Sequence, residues 1–133
     1  MNYNVNDINF VNSDFYQSFL KDNPVVGYLK IRAYAARGAV PISGVKIVVT
    51  KYIDDEKVTF YEGVTNESGV IEKISLPAPI LNENDLIKPN NTIYDIKSTY
   101  DGIDANYQVR IYENVLVIQP ISVTPDMSKM GGI

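Results

Sequence analysis

Nucleophilic hydrolysis at neutral pH usually draws on an imidazole or a thiolate. This chain of 133 residues has no histidine and no cysteine. No Ser-His or Cys-His pair can be assembled from it, and no zinc site with imidazole or thiolate ligands. Carboxylates are what remain. Asp54-Asp55-Glu56, Glu83 with Asp85, and Asp101 with Asp104 around Gly102 offer oxygen ligands of the kind calcium takes. None has the spacing of an EF-hand loop, and charged turn tips ordinarily serve solvation. A glycoside hydrolase would need two carboxylates facing each other across a cleft, and nothing in this distribution sets up such a pair. No catalytic residue, metal site or cofactor is expected, and the chain reads as a non-enzyme.

The ten tyrosines are a better lead. Tyr28 and Tyr34 alternate with Lys30 and Arg32 on one side of a predicted strand, and Tyr112 shares a side with Gln108 and Arg110. Tyrosine and arginine are enriched at protein interfaces, and such a surface also stacks sugars. The plainer explanation is cross-strand pairing beneath the N-terminal segment. That segment holds a second group, Phe10, Phe15, Tyr16, Phe19 and Leu20, of which the last four are spaced to suit one face of a short helix. These five residues, with Tyr28, Arg32 and Tyr34, are the expected interaction surface.

Composition sets limits on the partner. With 45% apolar residues the chain can bury a core, and its length suits one domain. A net charge of -4 and twelve scattered Lys and Arg residues argue against nucleic acid and anionic membrane, which reward clustered cations. The start, MNYNVNDINF, lacks the basic and apolar regions of a secretory signal, so synthesis in the cytoplasm is expected. No apolar run approaches the roughly 20 residues of a spanning helix.

Three segments are expected. Residues 1–25 form an arm with a short helix, capped by Asn12, Ser13 or Asp14 and stopped by Asn23-Pro24. The arm docks either on its own sheet or on a neighbouring subunit, and the second is taken forward. Residues 26–125 switch to a period of two and form the main domain, and residues 126–133 form a tail. Seven strands are predicted over 27–35, 45–53, 58–65, 70–76, 92–99, 106–112 and 115–123. Glu113-Asn114 reads as the tip between the last two. Asn66 and Gly69 supply the turn before the fourth strand, and Pro77 and Pro79 end it. Regular spacing with Gly, Pro, Asn and Asp at the breaks makes an all-β, seven-stranded antiparallel sandwich the natural reading.

Three stretches resemble a known family. GYLKIRAYAARGAVPISGVKIVVT is similar to the first hairpin of the transthyretin-like, carboxypeptidase-regulatory-like sandwich. Thr65, Asn66 and Gly69 in GVTNESGVIEKISLP resemble that family's Thr-Asp/Asn-x-x-Gly hallmark, and residues 94–125 resemble its closing strands. The resemblance implies a transthyretin-like, Ig-like sandwich. The Arg-Gly-Ala-x-Pro and Leu-Pro-Ala-Pro pair is similar to the version in spore-forming Gram-positive bacteria. There the domain stands alone or beside peptidoglycan-binding and cortex-lytic modules. Pilin-like relatives carry an internal Lys–Asn isopeptide. Lys30 could supply the amine, but VLVIQPISV offers no Asn or Asp, so that crosslink is not expected.

The expected function is a non-catalytic structural or interaction subunit of a larger bacterial assembly, a phage-tail-like or virion particle or a spore-envelope structure. Its partners would be protein subunits of that assembly, reached through the N-terminal arm, with cell-wall glycan a further candidate on the tyrosine face. The alternatives are an accessory or pro-region module of a peptidoglycan hydrolase and a carbohydrate-binding module.

Overall fold

Alternating apolar residues sort most of the chain into two sheets that share one core. The structure, a computed structural model, describes residues 2–82 and 89–124. In chain order the elements are β1 (Asn2–Asn4), α1 (Ile8–Val11), α2 (Asp14–Asp22), β2 (Val25–Ala35), β3 (Val40–Pro41) and β4 (Lys46–Ile53). Then follow β5 (Glu56–Val64), β6 (Val70–Ala78), β7 (Thr92–Tyr100), β8 (Ile103–Ile111) and β9 (Leu116–Ser122). One sheet has the order β1-β5-β4-β7-β8, and the other is built on β2, which pairs with β3, β6 and β9. Leu29 and Ile31 of β2, Ile47 and Val49 of β4, Leu76 of β6 and Ile96 of β7 are buried between the sheets. Each such side chain contributes about 1.5–3 kcal/mol.

Turn chemistry sets the register. Asp54-Asp55 joins β4 to β5 and Asp101-Gly102 joins β7 to β8, with positive φ at both residues of each tip. Two-residue loops of that hand match the twist of the strands they join. Before β6, Asn66 Oδ1 accepts from the N–H groups of Ser68 and Val70, and Gly69 has φ +75. The buried Thr65 hydroxyl accepts from Val45 N at 3.0 Å and donates to Ile42 O at 2.8 Å. Thr65, Asn66 and Gly69 therefore tie the start of β4 to the turn that opens β6.

The N-terminal segment closes one end of the sandwich. Ser13 caps α2 by accepting from Tyr16 N, and Asn23 ends it, its side chain donating to Phe19 O and accepting from the Thr92 hydroxyl. Phe10, Tyr16 and Phe19 are 6%, 6% and 8% exposed. Their rings run on to Phe60 of β5 and Tyr94 of β7, with successive centroids 5.0 to 5.8 Å apart. Phe15 and Leu20 pack partly buried against the same cluster. The sequence places this apolar face against a neighbouring chain. The structure buries it on the chain's own sheets.

The strand count and directions also differ from expectation. All seven predicted strands are present, but the described residues hold nine, and the sheets are mixed rather than antiparallel. β1 pairs parallel with β5, and β9 pairs parallel with β2. Glu113-Asn114 is consequently no hairpin tip: it carries the chain from β8 in one sheet to β9 in the other. Asn114 takes φ +55 and donates to Val26 O at 2.8 Å. Gly27 lies directly under this crossing, where a Cβ would sit 2.1 Å from Tyr112 O.

Pro77 does not end its strand either, since β6 continues to Ala78. Val26, its cross-strand partner, gives its carbonyl to Asn114 on the opposite side of β2. The Val26–Pro77 pair is thus one whose backbone groups point away from each other, and the missing proline N–H falls on the free edge of β6. The Pro77 carbonyl is taken by the Tyr94 hydroxyl of the facing sheet at 2.6 Å.

Candidate functional site

Two outward faces could meet a ligand, one on each sheet. The outer face of β2 and β9 carries three of the residues singled out in the sequence. Tyr28, Lys30, Arg32 and Tyr34 lie in register with Leu116, Ile118, Pro120 and Ser122. Leu116 is 50% and Ile118 55% exposed, and Val26 on the same side of β2 is also exposed. Lys73 stands 4.2 Å from the centre of the Tyr28 ring, Arg32 stands 5.4 Å from that of Tyr34, and Lys30 pairs with Glu72 at 3.4 Å. One face of each tyrosine ring is therefore already occupied by a cation. Sequence reading missed Leu116 and Ile118, because VLVIQPISV is apolar at both parities and its alternation does not say which side is buried.

β9 is an edge strand with a defined defect. Val115 O accepts from Tyr28 N, and Val123 N donates to Tyr34 O. Odd-numbered residues of β9 hence bond to β2, and the even-numbered ones present their backbone to the open edge. Pro120 is one of these, and its missing N–H interrupts any strand that would add there.

The outer face of the first sheet is concave, forming an open trough of about 830 Å³. It lies where β5 carries an extra residue opposite Val49 and Thr50, a bulge of the kind that bends and twists a strand. Register places Thr59, Thr50, Asp95 and Gln108 side by side across β5, β4, β7 and β8. A second row runs Glu62, Val48, Lys97 and Asn106, and Tyr52, 60% exposed, stands opposite Lys57 at one end. Gln108 Nε2 donates to Asp95 Oδ1 at 3.1 Å. Thr50 is only 9% exposed yet lines the trough floor, and its hydroxyl has no hydrogen-bond partner among the described residues. Beyond one end, the Thr99 hydroxyl bonds Asp104 at 2.6 Å and, with Lys97, holds that carboxyl below its usual range.

Other charged groups are engaged elsewhere. Lys51 donates to Ile93 O at 2.9 Å with its ammonium 5.8 Å from the Tyr94 ring centre; burial pulls its pKa down against the pull of Asp95. Gln108, Arg110 and Tyr112 do come together, lining a small depression with Ile93 and Val117. Glu83 and Asp85 lie outside the described residues, as does the 126–133 tail. Among the described residues no three acidic, histidine or cysteine side chains are grouped to hold a metal ion, and no helix is long and apolar enough to cross a membrane. No family model matches the chain, and no curated protein matches it.

Proposed function

We propose that this chain is a non-catalytic structural or interaction subunit of a larger bacterial assembly, a phage-tail-like or virion particle or a spore-envelope structure. In this reading a transthyretin-like sandwich, made in the cytoplasm, meets a protein neighbour through the outer face of β2 and β9. The carrying observation is the pairing of half-exposed Leu116 and Ile118 with Tyr28 and Lys30, beside Arg32. Aliphatic side chains next to tyrosine and arginine, with Glu72 and Lys73 of β6 beside them, match an interface patch with a polar border. The arm residues Phe10, Tyr16 and Phe19 are buried within the chain, which moves the docking surface from the arm to this face. Pro120 on the open edge favours docking side chain against side chain over strand addition. The corner formed by Thr65, Asn66 and Gly69 supports the transthyretin-like reading.

The test is the size of the native complex. In extracts of the producing cell, the wild-type chain should elute in a large particle. Ile118→Asp should elute as a folded monomer with an unchanged far-ultraviolet spectrum. A wild-type monomer, or an Ile118→Asp chain still in the particle, would overturn this reading.

A further inference from the structure

The trough on the β5-β4-β7-β8 face does not resemble the β2–β9 face, and its chemistry points to another ligand. Its lining mixes polar groups with Val48, Ile96 and Tyr107, and Tyr52 at its end is well exposed. Lys57 and Lys97 are balanced by Glu62 and Asp95, so the trough presents no net charge to attract a polyanion or a basic peptide. Hydroxyl, carboxylate and amide groups succeed one another across neighbouring strands, offering donors and acceptors in alternation. Four strands span about 14 Å, the length of roughly three linked sugar rings. Thr50 is the most pointed observation. The residue is largely buried, but its hydroxyl reaches solvent at the trough floor and has no protein partner among the described residues, which leaves it open to a ligand.

We propose that this trough binds a neutral oligosaccharide, with Thr50, Asp95, Asn106 and Gln108 hydrogen-bonding its hydroxyls and Tyr52 stacking on a terminal ring. A protein ligand fits less well, since interface cores are depleted in charged side chains and this floor carries Lys57, Glu62, Asp95 and Lys97. The site is independent of the protein-docking face, being on the opposite sheet.

The experiment is a titration of the isotope-labelled full chain with cello-, chito-, xylo- and malto-oligosaccharides, followed by amide chemical shifts and calorimetry. At least one of these should bind, with shifts confined to β4, β5, β7 and β8. Tyr52→Ala and Asn106→Ala should each weaken it by about tenfold, as removal of one ring stack or one hydrogen bond does. Thr50→Val, which keeps the shape and removes the hydroxyl, should also weaken binding without lowering the melting temperature. Ile118→Asp should leave sugar binding unchanged, so failure of the docking reading and failure of this one are separable. The proposal is overturned if no oligosaccharide binds at millimolar concentration, if shifts map to β2 and β9, or if the Tyr52→Ala, Asn106→Ala double variant binds like wild type. It is equally overturned if trough variants leave the native particle while binding no sugar, because the occupant would then be a protein.

Discussion

At the scale of single residues, backbone geometry makes the sharpest predictions. Gly69 combines φ +75 with a neighbour that leaves no room, since a Cβ would lie 2.5 Å from Ala33 O. Gly69→Val should therefore cost about 3 kcal/mol, at the top of the range for backbone strain, measured by denaturant unfolding. Asp55 shows the reverse. It holds φ +68 in a two-residue tip that favours glycine at that position. Asp55→Gly should stabilise the chain by about 0.5–1 kcal/mol, and an unchanged or lowered midpoint would count against that geometry. Tyr94 links residue chemistry to pH. Burial raises its pKa, so the fold favours the neutral phenol. That stability is complete below about pH 10, where an unfolded tyrosine titrates, and declines as pH rises above it. Tyr94→Phe should flatten the alkaline decline. At pH 7 it should cost about 1–3 kcal/mol, because Pro77 O loses its donor.

At the scale of elements, the arm is the strongest case. Phe10, Tyr16 and Phe19 together contribute about 5–9 kcal/mol of burial, comparable with the whole stability of an ordinary domain. Deleting residues 1–24 should leave a chain without a cooperative thermal transition by circular dichroism; a sharp transition would show that the sandwich closes without it. The helix itself was legible in the sequence, from the spacing of Phe15, Tyr16, Phe19 and Leu20 and the cap at Ser13. Where it docks was not, because an apolar face does not name its partner. The core-facing sets Leu29-Ile31-Ala33 and Val45-Ile47-Val49 were equally legible, since a period of two assigns sides within a strand. That period carries no information about neighbours or direction, which is why the parallel pairing of β9 and the crossing at Asn114 were missed. β1 was missed for its brevity. Thr50, Asp95 and Gln108 are far apart in sequence and become a row only through register, so the trough was invisible too.

At the scale of the whole molecule, the two sheets turn chemically different faces outward, one with exposed aliphatic residues beside tyrosines and cations, the other mixed in polarity and balanced in charge. Because no side chain is shared between them, their substitutions should act independently. Ile118→Asp combined with Tyr52→Ala should change the melting temperature by the sum of the single effects, within error; a clear departure would mean the faces communicate through the core.

The parallel pairing of β9 with β2 bears on how the chain comes into being. Tyr28 is in register with Leu116, so the strand at the centre of the second sheet stays half-paired until all the residues between them have been synthesised. Pairings this distant in sequence slow the search for the native state, and refolding of these 133 residues should fall in the millisecond-to-second range. A nascent chain stalled after Val115 would leave β2 without one neighbour and its apolar surface open. It should be cut by protease within Val25–Ala35, and release of the remaining residues should abolish that cleavage.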